Sequence, residues 1–226
     1  MNEADNQDLK PENRRDFFRD ALFRVMRPAA NYLEKKLPPA IKEAMEGSRL
    51  SGGNTVLLRP PGALAESEFL HACLRCGNCA NHCPADAIQL LPNNDPRAQA
   101  RESLKGTPFI DSSDRACVIC DELACMKSCP SGALQLVDRL SIRIGMAIVD
   151  EEACVRSRGE NCTTCVDVCP IGKEAIRIGA DGRIEVIDPS CSGVGCTGCG
   201  VCEERCPTRP KRAIHVRAYP EHRISM

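Results

Sequence analysis

The stretch CLRCGNCANHCP, residues 73–84, decides how this chain is read. Its thiols fall at Cys73, Cys76, Cys79 and Cys83, with Pro84 directly after: a C-x2-C-x2-C-x3-C-P spacing. Three thiolates this close along the chain can each reach a different iron of one [4Fe–4S] cube. The fourth lies too far along to complete that cube and ligates a second one. Pro84 removes a backbone donor and fixes φ, which suits a chain turning into a short helix away from the site.

Working outward, the pattern recurs three times. Cys117, Cys120, Cys125 and Cys129 precede Pro130, with four residues between the second and third thiols. Cys154, Cys162, Cys165 and Cys169 precede Pro170, with seven residues between the first two. Cys196, Cys199, Cys202 and Cys206 precede Pro207 in the regular spacing. These sixteen are the expected ligands of four [4Fe–4S] clusters, out of 17 cysteines in 226 residues. Cys191 is left over: Cys196 completes the regular spacing, whereas Cys191 would need the glycine-containing loop 192–195. Cys191 is read as a small buried hydrophobe, with an alternative ligand or a redox-sensitive thiol as the sharper reading. Zinc sites show two separated ligand pairs, often with His, and no fourth Cys–Pro. An odd cysteine count argues against a complete disulfide framework.

Composition agrees. Aromatics make up 3% and there is no Trp, so neither a large aromatic core nor a base-stacking platform is available. A net charge of −1 gives no electrostatic reason to bind nucleic acid. No apolar run reaches the ~18 residues of a transmembrane helix. Stability is expected to come from what the sulfur atoms bind.

The repeat extends past the cysteines. After each Cys–Pro comes Ala-[Ile/Leu]-x-[Leu/Ile/Val]: AIQL at 87–90, ALQL at 133–136, AIRI at 175–178 and AIHV at 213–216. The fourth cysteines recur about every 40 residues, as in stacked supersecondary units. Each unit reads as strand, Cys loop, short helix, strand, with strands expected at 109–111, 146–149, 177–179, 184–187 and 214–217. The expected fold is α+β: tandem bacterial-type 4Fe-4S dicluster ferredoxin modules with an N-terminal helical extension. Residues 1–60 form the arm and linker. Residues 61–226 form the four-repeat domain, with repeats at roughly 64–93, 108–140, 145–180 and 182–218. The repeats can pair sequentially (first with second, third with fourth) or nested (first with fourth, second with third), and spacing alone leaves both open.

At this point the sequence resembles the polyferredoxin-type electron-transfer subunits of periplasmic nitrate reductase and methylamine utilisation systems, the NapG/MauM type. The matching stretches are RPPGA at 59–63, EFL at 68–70, GTP at 106–108, the second Cys loop at 117–125, GMA at 145–147 with the x7 spacing at 154–162, and CTGCG at 196–200. The second loop is also similar to the four-cluster subunits of molybdenum-containing reductases. In that wider group nested pairing is the rule, so this resemblance favours the nested arrangement. It implies a soluble conduit with four [4Fe–4S] clusters and no substrate site, passing single electrons to or from a partner oxidoreductase or a membrane quinol-oxidising complex.

Exported members of that family carry a twin-arginine signal. Here NRRDFF at 13–18 has the arginines, but a charged stretch follows in place of an apolar core, so a cytoplasmic location is expected. Phe18, Leu22, Val25, Ala29, Leu33 and Leu37 recur at helical spacing, interrupted at Pro28. This segment, 14–37, is read as a helix packing on the body or a partner subunit, with a basic amphipathic helix on an anionic membrane as the alternative. Residues 38–63 read as a linker and 92–108 as an exposed, solvated insertion.

Other chemistry is thin. His71, His82, His215 and His222 share no ligand spacing; His82 is read as a surface residue beside Cys83. Gly193, Gly195, Gly198 and Gly200 are expected to let backbone amides approach cluster sulfurs. No paired acids, nucleophile triad or nucleotide fingerprint is present. An iron–sulfur enzyme, an iron–sulfur subunit of a larger complex and a zinc-stabilised scaffold are the competing classes.

Overall fold

The computed structural model describes residues 56–219, except the side chains of Cys191 and Ser192. The chain divides into units 1–54 and 55–226, and the described residues belong to the second. The expected helix at 14–37 and His222 lie outside the described residues.

Short elements follow from short sequence signals. Helix α1 (Glu66–Ala72) leads into the first Cys loop. Helix α2 (Asn78–Asn81) starts after Gly77, which turns the chain at φ 78°, a conformation that costs glycine little. Strand β1 (Ile88–Leu90) is the first AIQL copy. Helix α3 (Pro96–Ala100) is capped by Asp95, whose side chain accepts from the Arg97 N–H, with Pro96 in the first turn. Strand β2 (Pro108–Ile110) enters the second loop, which contains helix α4 (Ala124–Lys127). Strand β3 (Gly145–Val149), helix α5 (Thr164–Asp167) and strand β4 (Ile176–Ile178) form the third repeat. Strand β5 (Ile184–Val186), helix α6 (Pro189–Ser192), helix α7 (Val201–Arg205) and strand β6 (Ile214–Ala218) form the fourth. The five expected strands lie within one residue of those found. The 133–136 copy makes only an isolated bridge, Ala63 to Leu134.

Strand pairing settles how the repeats associate. β1 and β2 form an antiparallel hairpin with Ile88 opposite Ile110, and the segment entering the first repeat is bonded to the one leaving the second: Gln135 N–H donates to the Gly62 carbonyl at 2.8 Å. In the second half, β4 pairs with β5 (Ile176 opposite Val186) and β3 with β6 (Gly145 opposite Ala218). Each half thus has an inner hairpin and an outer pair of entering and leaving strands. The repeats pair sequentially, which corrects the nested arrangement. The physical reason is that each inner hairpin carries the chain from one repeat's fourth cysteine straight into the next repeat's loop.

Two other readings change. Residues 57–63, read as linker, are part of the body: Leu57, Arg59 and Ala63 are buried. Residues 92–108 are not merely solvated, because Leu91, Ala98, Leu104 and Phe109 form a small core with Leu57. Arg97 covers it, its guanidinium 4.8 Å from the Phe109 ring centre.

Arg59 is fully buried, 0% exposed. It donates to both Glu66 carboxylate oxygens (2.6 and 3.1 Å), to Thr107 Oγ1 (2.8 Å) and to the Pro108 carbonyl (2.8 Å), and stacks 4.7 Å from the Phe69 ring centre. One cation therefore ties the entering segment, α1 and β2 together. Removing one partner of such a buried pair strands the other, so Arg59→Ala is expected to destabilise the loaded protein by roughly 3–5 kcal/mol. Chemical denaturation against the parent checks this; a change below ~1 kcal/mol, the range of exposed pairs, would contradict it.

Candidate metal centres

Among the described residues, four cavities are lined by cysteines, four in each. The first holds Cys73, Cys76, Cys79 and Cys129. The second holds Cys117, Cys120, Cys125 and Cys83. The third holds Cys154, Cys162, Cys165 and Cys206. The fourth holds Cys196, Cys199, Cys202 and Cys169. Each cavity takes three thiols from one Cys loop and the fourth from its partner repeat, the exchange that the Cys–Pro spacing predicts. All sixteen cysteines read as ligands are brought to these sites, and all sixteen are free thiols, which excludes disulfides among them. Cys191 falls in α6, but its side chain lies outside the described residues.

The electrostatics call for cations. Burial, with neighbouring thiols adding, pushes Cys79, Cys165 and Cys199 up to about 11 and Cys125 to about 12. Burial likewise raises Cys117 and Cys202. Cys129 and Cys206 go the other way: burial opposes ionisation, yet hydrogen bonds to their sulfurs outweigh it. Leu134 N–H donates to Cys129 Sγ at 3.4 Å, and Thr208 Oγ1 lies 3.2 Å from Cys206 Sγ. Elsewhere Ala87 N–H donates to Cys83 Sγ (3.3 Å) and Ala147 N–H to Cys196 Sγ (3.4 Å). Such bonds favour thiolate and tune what it binds.

The residues fit an iron–sulfur cluster better than a single ion. Among the described residues, no three His, Cys, Asp or Glu side chains close to the spacing of one metal ion. Four thiols instead line each cavity, the number that a four-iron cube takes. Thr197, 1% exposed, lines the fourth cavity, and its buried Oγ1 finds no oxygen or nitrogen partner but faces the Cys199 sulfur, whose ionised form it favours. A buried hydroxyl needs an acceptor, and the sulfur of a cluster held by Cys199 would supply one.

Sequence reasoning missed Arg59, Thr197 and the glutamates that join the halves, described below; only the position of Thr197 between two ligand cysteines could have pointed to it. Of the fourth-loop glycines, Gly198 does bring its amide to Cys196 sulfur. They serve also to bring backbone against backbone. A Cβ on Gly195 would lie 2.6 Å from the Ile187 carbonyl oxygen, and one on Gly198 would run into the Gly145 backbone. His82 is exposed, with Nδ1 2.8 Å from the Asn78 carbonyl, and His71 is exposed too.

The comparisons with known proteins agree with this geometry. The 4Fe-4S dicluster domain family matches residues 72–133, the span from the first loop through Cys129. The methylamine utilization ferredoxin-type protein MauM of Methylobacillus flagellatus is 41% identical over 170 residues, covering 72% of this chain and 69% of the relative. The ferredoxin-type protein NapG of Escherichia coli is 35% identical over 210 residues, covering 89% and 84%. The chain belongs to the MauM/NapG ferredoxin-type family. Like other MauM/NapG proteins it is an iron–sulfur electron-transfer protein, with a 4Fe-4S dicluster ferredoxin domain and a mixed fold of small helices and small sheets. No described helix of this MauM/NapG chain is long and apolar enough to cross a membrane.

Proposed function

We propose that the chain holds four [4Fe–4S] clusters, one per cavity, and relays single electrons to or from a partner oxidoreductase or a quinol-oxidising membrane complex, without a substrate site of its own. The observation that carries this is the four-thiol lining of each cavity, with its exchanged fourth cysteine. When bound, each cluster supplies a one-electron centre whose potential is set by burial and by hydrogen bonds to sulfur. The protein's own groups do the setting. The fourth cavity is lined by three buried thiols, Cys196, Cys199 and Cys202, whereas Cys76 exposes the first to solvent. The helically spaced segment 14–37 is the proposed contact with the partner subunit. Iron and acid-labile sulfide analysis, with paramagnetic resonance after dithionite reduction, tests the reading: four clusters per chain are expected. Zinc without sulfide would overturn it.

Thr197 provides a finer test. A hydroxyl donating to cluster sulfur favours the more negative, reduced state, so removing it lowers the potential. A neutral hydrogen bond is worth roughly 0.5–1.5 kcal/mol net, and one-electron potentials move ~59 mV per tenfold change in equilibrium constant. Thr197→Val is therefore expected to lower one of the four midpoint potentials by about 20–60 mV, while Thr197→Ser leaves it near the parent value. Redox titration of both variants checks this, and equal shifts in the two would rule the hydroxyl out.

A further inference from the structure

The two halves meet where the fourth Cys loop lies against the chain entering the second. Cys117 N–H donates to the Cys199 carbonyl at 2.9 Å. Cys117 lines the second cavity and Cys199 the fourth. Cys199 is buried within the core of the first half, beside Cys79 and Cys125, while Cys196, Cys202 and Cys206 belong to the core of the second. Around this bond the contact is closed by side chains. Ser112 Oγ donates to Glu203 Oε2 (2.6 Å), the Ala116 N–H to Glu204 Oε2 (3.2 Å), and Arg212 to the Ser113 carbonyl (2.7 Å). A Cβ on Gly200 would run into the Ser112 side chain. Among the described residues, the hydrogen bonds of the first and third cavities' cysteines stay within their own half.

We propose that electrons cross between the halves from the second cavity to the fourth, over the Cys117–Cys199 hydrogen bond, so that the four centres form a path in the order first, second, fourth, third. The proposal rests on the electron-relay reading above. Within the first half the path runs where Cys79 and Cys125 share a core; within the second, where Cys202 and Cys165 do. Each step moves one electron: one centre is oxidised as its neighbour is reduced, and no bond or proton changes place. A one-electron reductant protein at one end and an oxidant protein at the other complete the balance. The sequence order of the loops is thus not the order of transfer, and the first and third cavities are the two ends.

The test uses the full-length, cluster-loaded chain, reduced with dithionite and followed by paramagnetic resonance. Spin–spin splitting between centres in different halves is expected in the parent, is expected to survive Cys162→Ser in the third cavity, and is expected to vanish in Cys120→Ser in the second. Should either cysteine variant fail to fold, Ser112→Leu provides the second measurement. It pries the two loops apart at Gly200 without touching a thiol, so iron content should stay at the parent level while the splitting between halves weakens. A splitting that survives Cys120→Ser, that is lost in Cys162→Ser, that is unaffected by Ser112→Leu, or that is absent from the loaded parent overturns the crossing. A parent without reducible iron–sulfur centres fails the relay reading itself, a separate result.

Discussion

Replacing Cys83 by serine is expected to empty the second cavity and leave the first loaded, although Cys83 closes the first repeat's own motif. Its sulfur lines the cavity of Cys117, Cys120 and Cys125, because the chain runs from Cys83 through the β1–β2 hairpin into that loop. The converse variant, Cys129→Ser, is expected to empty the first cavity. In the second half, Cys169→Ser should empty the fourth and Cys206→Ser the third. Loss of a partner beyond the ligands already costs about 10–100-fold in metal affinity, and loss of a ligand should exceed that. Iron content and the resonance signal of each variant check the pattern. Nested pairing predicts damage in the opposite half, and purely local ligation predicts damage in the mutated repeat; either outcome would contradict the structure.

Stripping the clusters with a chelator under reducing conditions is expected to abolish the cooperative unfolding transition, and reconstitution with iron and sulfide to restore it. The secondary structure is too slight to stand alone. Among the described residues, the sheets are two-stranded, from strands of three to five residues, and the α-helices run four to seven. Isolated hairpins are marginal in water, and so are helices under about 12 residues. Both larger cores are built around cysteines: Cys79, Cys125 and Cys199 in one, Cys154, Cys196, Cys202 and Cys206 in the other. Metal-binding free energies of small thiolate sites reach ~10–16 kcal/mol, as much as the whole ~5–15 kcal/mol margin of an ordinary domain. A sharp calorimetric melt of the cluster-free chain would refute the dependence.

What the sequence made legible follows from where the information sits. Ligand spacing is written along the chain, so sixteen cysteines could be sorted from Cys191 by counting, and three of the four Ala-[Ile/Leu]-x-[Leu/Ile/Val] copies fall on strands β1, β4 and β6. Pairing of the repeats is not local. It depends on Ile88 lying opposite Ile110 and Gly145 opposite Ala218, a register that no spacing records, and the resemblance to molybdenum-reductase subunits pointed the other way. The 92–108 stretch was misread because Pro92, Asn93, Asn94 and Asp95 are turn residues, while the buried Leu91, Ala98 and Leu104 around them are few. A signal was there in Asp95-Pro96, a cap followed by a first-turn proline. Arg59 gave no sign of burial: it stands in a proline- and glycine-rich stretch, and its partners Thr107 and Pro108 lie 48 and 49 residues away.

Cys76 is the one exposed thiol among the sixteen, and Leu74 beside it is 66% exposed. Among the described residues, dissolved oxidants and chelators therefore reach a ligand thiol most directly at this corner. Corrosion would begin there and work inward, stripping the outermost cube while the enclosed fourth one still stands. The opening at Cys76 would then set the shelf life of the loaded protein in air.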